Sequence, residues 1–234
     1  MILYTMRVGT IRKLGLPVLS HLIVAGDRVT LVDTGFRAGP LPAGPRRAPI
    51  DVLPEQVVTA QIARLGFAPR DVDQVVCTHL DPDHAGHHDD FPDAEFVVQR
   101  VHHEAAVGGG IARLGPARPH WDAPGLRYRL VDGDVDLLPG IRLVESGGHL
   151  PGHQSVLVRL PRTGAVLLAA DAIPLACCAE PDHRPILPFD LDAAAVRAST
   201  RKLVALAADE KARIVFGHDP GQMATLPTAP DYDD

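Results

Sequence analysis

The sequence has few of the features that mark a secreted, membrane-bound or nucleic-acid-binding protein. It holds three cysteines in 234 residues, an odd count without the spacing of a disulfide framework, so we expect a reducing, cytoplasmic environment. No apolar run is long enough to span a bilayer, which argues against a membrane partner. The first residues lack the charged start, apolar core and cleavage site of a signal peptide. The net charge of −6, without a Lys/Arg run, argues against a nucleic-acid partner.

The composition is that of an ordinary globular protein. Hydrophobic residues make up 46% and charged residues 22% of the chain, which is the usual balance. A chain of this length can bury a substantial core without disulfides. We therefore expect a single domain over residues 1–234, and the apolar N-terminal stretch leaves a homodimer open.

Apolar segments with turn signals between them predict a mixed order of strands and helices. Strands are predicted over residues 20–25, 29–33, 72–77, 95–99, 126–131, 135–138, 141–145, 155–160, 165–170 and 213–216. Helices are predicted over 54–65, 102–107 and 191–208. The Gly/Pro-rich segments 37–49, 108–125 and 173–190 should be irregular and shape a pocket, and the acidic tail from residue 229 should fray. Two packed sheets with helices outside is the natural architecture.

His and Asp residues follow four of these predicted strands. Four of them fall within six positions directly after the strand 72–77. The full set is His79, Asp81, Asp83, His84, His149, Asp171 and His218. A lone carboxylate at the end of an apolar strand, as at Asp171, is costly unless it is paired. Imidazole and carboxylate groups brought to one edge of a fold suit a divalent cation.

The order of these residues resembles the metallo-β-lactamase superfamily. Its signature H-x-H-x-D-H, then His, Asp and His, corresponds to the segment 79–84 and to His149, Asp171 and His218. The segments 83–86 and 148–155 (Gly-His-Leu-Pro-Gly-His-Gln-Ser) are most similar to the N-acyl homoserine lactonase-like branch. The resemblance extends from residue 31 to 218. It implies an α+β fold, a four-layer αββα sandwich with the metals at one edge.

The resemblance also implies a binuclear metal site. His79 and His149 would bind one divalent metal ion, and Asp171 would bridge to the second. The second ion would be held by Asp83, His84 and His218.

Two further residues have implied supporting roles around that site. Asp33 would hold the ligand cluster through hydrogen bonds. His153 matches a motif position that is not a ligand in the family, so we expect a structural hydrogen bond there.

The chain departs from the signature at two positions. Asp81 stands where the signature has its second His. Asp can still ligate a metal, so zinc remains the first expectation, but its hard oxygen favours manganese or iron more than imidazole does. Alternatively the first metal position is weak and one metal suffices. Pro174 stands where the lactonases have a Tyr, and Tyr128 and Tyr4 are candidate substitutes for that hydroxyl.

Other side chains offer less direct alternatives. The pairs 87–88 and 102–103, all His, are candidate replacement ligands, although we expect the first pair beyond the turn and the second facing solvent. Cys177 and Cys178 are adjacent and offer a strained disulfide or a thiolate ligand. Trp121 either walls a substrate pocket or packs its loop onto the body of the protein.

The implied function is that of a metal-dependent hydrolase with a small-molecule substrate. A metal-bound hydroxide would open a lactone or cleave an ester, with Asp83 steering the water and protonating the leaving oxygen. Three alternatives stay open: a glyoxalase II-like thioesterase, a diiron-type redox member and a non-catalytic metal-binding protein. For the thioesterase, Arg46, Arg47 and Arg113 are scattered candidates to bind a glutathione-like group.

Overall fold

The computed structural model describes residues 1–37 and 50–234. Nearly all of the predicted loop 37–49, with Arg46 and Arg47, therefore lies outside the described residues. Within the described part of the chain, no helix is both long enough and apolar enough to cross a membrane.

The first sheet has seven strands within the described residues and comes from the N-terminal part of the chain. In chain order they are β1 (Ile2–Ile11), β2 (Leu16–Ala25), β3 (Arg28–Val32), β4 (Ile50–Asp51), β5 (Gln74–Val76), β6 (Glu95–Gln99) and β7 (Arg127–Val131). The spatial order is β4-β1-β2-β3-β5-β6-β7. A two-residue turn at Gly26-Asp27 joins β2 to β3, as predicted. β3, β5, β6 and β7 run parallel, so their carboxyl ends lie at one edge.

The second sheet has five strands from the C-terminal part. They are β8 (Val135–Leu138), β9 (Ile141–Glu145), β10 (Gln154–Leu160), β11 (Gly164–Ala170) and β12 (Arg213–Phe216), in the spatial order β12-β11-β10-β9-β8. β11 and β12 are parallel, and β9 shares their direction because β10 is antiparallel to both of its neighbours. The carboxyl ends of β9, β11 and β12 thus lie at one edge.

Five helices lie among the described residues, and three of them cover the outer faces of the two sheets. The five are α1 (Val58–Arg64), α2 (Arg100–Val107), α3 (Arg118–Trp121), α4 (Ala193–Asp209) and α5 (Pro220–Met223). One apolar cluster joins the first sheet to α1 and α2, a second lies between the sheets, and a third joins the second sheet to α4. These three buried layers confirm the predicted four-layer αββα sandwich.

The start of α4 is fixed to the loop after β9. The carboxylate of Asp192 caps the helix by accepting from the backbone N–H groups of Ala194 and Ala195, each at 2.9 Å. Gly148 has a φ of +128°, and a Cβ there would lie 2.3 Å from the backbone nitrogen of Val196. Only glycine allows this close approach, which places the next residue, His149, at the sheet edge.

Two predictions about irregular segments were wrong. The tail does not fray: Asp233 pairs with the backbone of Leu3 in both directions, at 2.9 and 3.0 Å, and its carboxylate pairs with Arg213. Segment 108–125 is not a plain loop, because it contains the 3-10 turn Ala112–Ala117 and α3. Trp121 is 1% exposed within that segment, so it packs the segment onto the body and does not wall a pocket.

Candidate metal centre

The carboxyl ends of strands from both sheets bring seven His and Asp side chains together. His79, Asp81, Asp83 and His84 lie on the loop after β5. His149 follows β9, and Asp171 and His218 directly follow β11 and β12. All seven predicted candidates therefore lie at one edge of the sandwich.

One group of donors, which we call half-site A, consists of His79, Asp81 and His149. Asp81 Oδ2 lies 3.4 Å from Nε2 of His79 and 3.2 Å from Nε2 of His149. One ligand atom from each of the three residues lies within 4.8 Å of the others. Asp81 is thus placed where the missing His of the signature would contribute.

The other group, half-site B, consists of Asp83, His84 and His218. Asp83 Oδ2 lies 3.8 Å from Nε2 of each of the two imidazoles. Its donor atoms also lie within 4.8 Å of one another. Both half-sites therefore offer one carboxylate and two imidazole nitrogens.

The carboxylate of Asp171 stands between the half-sites. Its Oδ1 lies 3.0 Å from His218 Nε2 and 3.4 Å from His84 Nε2. Its Oδ2 lies 3.4 Å from His149 Nε2 and 3.9 Å from His79 Nε2. Each oxygen thus faces one His pair, which is the arrangement of a shared ligand.

Close backbone contact places Asp171 there. Ala170, immediately before it, has a left-handed φ of 46°, a strained conformation for a residue with a side chain. A Cβ on Gly217 would lie 2.7 Å from the carbonyl oxygen of Ala170 and 3.1 Å from Asp171 Oδ1. Glycine at 217 therefore lets β12 bring His218 alongside Asp171.

The donor set fits a divalent cation. His79 Nε2, His84 Nε2 and Asp171 Oδ1 are buried and find no hydrogen-bond partner among the described residues. Buried polar atoms without partners are rare and costly, unless an ion or water satisfies them. Ligands about 2.0–2.2 Å from a common ion lie roughly 3 to 3.5 Å apart, which agrees with most of the separations above.

The electrostatics also favour a cation. Burial lowers the pKa of His84, but the carboxylates of Asp83, Asp171 and Asp33 outweigh burial and raise it well above its usual value. In the same way burial lowers the pKa of His149, and carboxylates led by Asp171 raise it to about 9. The carboxylates thus supply enough negative charge to hold a proton, or a metal ion, at this edge.

Side chains behind half-site B orient its imidazoles. Asp33 accepts a hydrogen bond from His84 Nδ1 at 2.7 Å and from the backbone N–H of Thr78 at 2.8 Å. His218 Nδ1 donates to the carbonyl oxygen of Pro17 at 2.8 Å. Both bonds leave Nε2 facing the centre. The expected supporting position of Asp33 agrees with this geometry.

Behind half-site A lies a pair that the sequence analysis missed. Asp190 Oδ1 accepts from His149 Nδ1 at 3.3 Å, and its Oδ2 lies 3.5 Å from the guanidinium of Arg184. Both side chains of this ion pair are fully buried. In the sequence, Arg184 and Asp190 are two charged residues of a Pro-rich segment. That pattern does not predict that their side chains are buried.

Arg113 is the second residue that reaches half-site A. Its Nε donates to Asp81 Oδ1 at 2.9 Å, and its Nη2 lies 3.0 Å from His149 Nε2. Its Nη1 donates to the carbonyl oxygen of Phe189. The sequence analysis named Arg113 only as one of three scattered basic residues. The segment that contains it was predicted to be irregular, so its side chain could not be placed at the site.

The candidate replacement ligands do not join the cluster. His102, expected to face solvent, is buried: its Nε2 accepts from the backbone N–H of Leu80 and its Nδ1 donates to the carbonyl oxygen of Pro151. It therefore ties the loop after β5 to the loop of His149. His88 is buried beside Tyr128, and His87 pairs with Asp90.

The remaining candidates are also used elsewhere. His153 lies 5.0 Å from His79, ring centre to ring centre, and its Nδ1 bonds to Ser146 Oγ, which agrees with the structural role expected for it. Tyr128 donates to the carbonyl oxygen of Trp121, and Tyr4 packs on Tyr232. Neither tyrosine contacts the half-sites in the described structure, so neither replaces the hydroxyl missing at Pro174.

Comparisons with known proteins agree with this geometry. The family model of the metallo-beta-lactamase superfamily matches residues 14–218. An N-acyl homoserine lactonase of Bacillus thuringiensis is 31% identical over 235 residues, covering 94% of this chain and 88% of that protein. The N-acyl homoserine lactonase AttM of Azorhizobium caulinodans is 39% identical over 183 residues, covering 75% of this chain and 68% of its own.

Solved structures give the same result. An N-acyl homoserine lactone hydrolase with the product N-hexanoyl-L-homoserine bound at its catalytic metal centre superposes with a TM-score of 0.87. It is 28% identical, and the match covers 99% of this chain and 98% of that one. A structure of AiiA from B. thuringiensis with N-decanoyl-L-homoserine at its active site matches with the same score and coverage.

Proposed function

This chain belongs to the metallo-β-lactamase superfamily, and on that basis we propose that half-sites A and B each hold one divalent cation, with Asp171 as the shared ligand. The chain is a metal-dependent hydrolase of the kind that opens lactones or cleaves esters. The observation that carries the proposal is the carboxylate of Asp171, whose two oxygens face different His pairs.

The substrate that we propose is an N-acyl homoserine lactone. The relatives that support this are lactonases by name, and one solved relative holds the opened product N-hexanoyl-L-homoserine. In the reaction the oxygen of water adds to the lactone carbonyl carbon, and the ring C–O bond breaks. The ring oxygen then takes a proton, so the product is a hydroxy acid.

Within that reaction Asp83 moves the proton. Bound cations polarise the carbonyl and lower the pKa of water towards ~7. The side chain of Asp83 is 17% exposed, more than any of the other six candidate ligands. Its carboxylate accepts no hydrogen bond from the residues that the structure describes, so it is free to take a proton from the attacking water and give it to the leaving oxygen.

Zinc is the metal proposed first, with manganese or iron as alternatives. His149 and His79 offer nitrogen donors that suit zinc. Asp81 replaces one imidazole by a hard oxygen, which shifts the preference of half-site A towards manganese or iron. Metal analysis of the purified protein decides among the three.

A reducing, cytoplasmic setting is part of the proposal. Cys77, Cys177 and Cys178 are free thiols, so the adjacent disulfide is not formed, and none of the three belongs to the groups of side chains that could hold a metal ion among the described residues. The apolar residues of β1 pack into this chain's own cores, so they no longer support a homodimer.

The test compares substrates on the metal-loaded protein. We expect N-hexanoyl homoserine lactone to be opened, with a product heavier by one water in mass spectrometry. A glutathione thioester, the probe for a glyoxalase II-like activity, should turn over far more slowly. Thioester cleavage without lactone opening would contradict the proposed substrate while leaving the metal site intact.

A further inference from the structure

Arg113 contacts half-site A but has no part in the proposed reaction. Its guanidinium contacts three residues at once: it donates to Asp81 Oδ1 and to the carbonyl oxygens of His149 and Phe189, and its Nη2 lies 3.0 Å from His149 Nε2. About a quarter of the Arg113 side chain is exposed, so it reaches the centre from the surface side.

The contact with His149 uses the atom that a cation would need. His149 Nδ1 donates to Asp190 Oδ1, so Nε2 is the ring nitrogen that a cation would bind. Arg113 Nη2 lies 3.0 Å from that Nε2. A guanidinium nitrogen at that distance takes up the space in front of Nε2 where a bound ion would lie, since Zn–N bonds are about 2.0–2.1 Å long. Arginine stays charged at every working pH, so it also repels a cation.

The contact of Arg113 with Asp81 does not obstruct metal binding. Arg113 Nε bonds to Oδ1, whereas Oδ2 is the oxygen that faces His79 and His149. Asp81 can therefore keep its bond to Nε while Oδ2 binds a cation. The competition is confined to His149 Nε2.

Half-site B has no such competitor among the described residues. There, the basic groups within 4.0 Å of Asp83 Oδ2 are the imidazoles of His84 and His218, which are themselves candidate ligands. His218 uses Nδ1 to donate to the carbonyl oxygen of Pro17, so its Nε2 faces the centre, where it lies 3.0 Å from Asp171 Oδ1, another candidate ligand. A cation entering half-site B therefore displaces no arginine or lysine side chain of the described residues.

We propose that Arg113 is a built-in competitor for the metal of half-site A, so that half-site B fills first and Arg113 must withdraw from His149 before half-site A fills. The proposal rests on the binuclear site proposed above. Arg113 is then a positioning residue that sets the difference in affinity between the two half-sites. About a quarter of its side chain is exposed, so it can withdraw towards solvent.

The experiment titrates metal-free protein with Zn²⁺ against a chromophoric chelator. The wild type should bind two ions in two steps, the second weaker. In Arg113→Met the second step should strengthen by about tenfold or more, the scale on which residues around ligands act, while the first is unchanged. Arg113→Gln, which also lacks the charge, should behave in the same way. Arg118→Met is the matched control, because Arg118 pairs with Asp122 on the surface; it should bind as the wild type does.

Other outcomes overturn the inference in distinguishable ways. Two steps of unchanged affinity in both Arg113 variants would refute the competition and leave the proposed binuclear site standing. A weaker second step would show that Arg113 supports the ligands instead of competing. If the wild type and both variants bound no zinc, the competition and the proposed metal site would fail together.

Discussion

Half-sites A and B have the same donors, one Asp and two His, but different supports. The imidazoles of half-site B are held by Asp33, at the end of β3, and by the backbone of Pro17 in β2. In half-site A, His149 is held by Asp190 and contacted by Arg113, which lie in segments outside both sheets. Half-site B is thus anchored by groups on or next to strands, whereas half-site A depends on side chains from connecting segments. The same donors can therefore give two positions of different affinity.

The largest expected effect comes from the ligand that both half-sites share. Replacing the carboxylate in Asp171→Ala removes a donor from each and leaves four imidazoles facing one another, so metal pairing should be lost. Turnover of the lactone should fall by roughly 10³-fold or more, since the activated water depends on the metals. Full activity with full metal content in this variant would refute the assignment. Asp182→Asn, an exposed carboxylate paired with Arg201, is the control.

Asp83→Asn tests the proton role in half-site B. The amide keeps the size of the side chain but cannot accept a proton as the carboxylate does, so kcat should drop by about 10²- to 10⁴-fold, the range for a general acid or base. Steady-state kinetics on zinc-loaded protein measures the drop. The companion Asp81→Asn should lower zinc affinity more than kcat measured at saturating zinc. If the two variants changed kcat and zinc affinity to the same extent, Asp81 and Asp83 would not have the different roles assigned to them.

Asp190→Asn tests the support of half-site A alone. The neutral amide no longer favours the His149 tautomer that presents Nε2, so zinc affinity of half-site A should fall about 10- to 100-fold. Half-site B should keep its affinity. A zinc titration that shows both steps weakened equally would mean that the half-sites are not independent.

The smallest effects are expected at the glycines that precede one ligand of each half-site. Gly148→Ala and Gly217→Ala would each force a Cβ against backbone atoms at 2.3 and 2.7 Å. Each should destabilise the fold by about 1–3 kcal/mol, which lowers Tm by several degrees, and weaken zinc binding in its own half-site. Gly110→Ala, where a Cβ would meet no atom within 4 Å, is the control in thermal melts.

The sequence was informative where function follows regular structure. Most strands were predicted to within a few residues because apolar runs and turn residues alternate, and ligands such as His149 and Asp171 follow strand ends. The first strand, β1, and the two-residue β4 were not predicted. Asp190 and Arg113 were not recognised as site residues, because their positions depend on how irregular segments fold back onto the sheets. His102 was wrongly predicted to face solvent. The charged neighbour Glu104 suggested an exposed helix, and the sequence did not indicate which face of α2 is buried.

The most direct test of the account is to remove and restore the metal while following lactone opening. Metal-free protein, prepared with a chelator and checked by elemental analysis, should not open N-hexanoyl homoserine lactone. Activity should return on adding about two equivalents of zinc. Undiminished turnover by protein shown to contain no metal would contradict the assignment of Asp171 and its two His pairs as a catalytic metal centre.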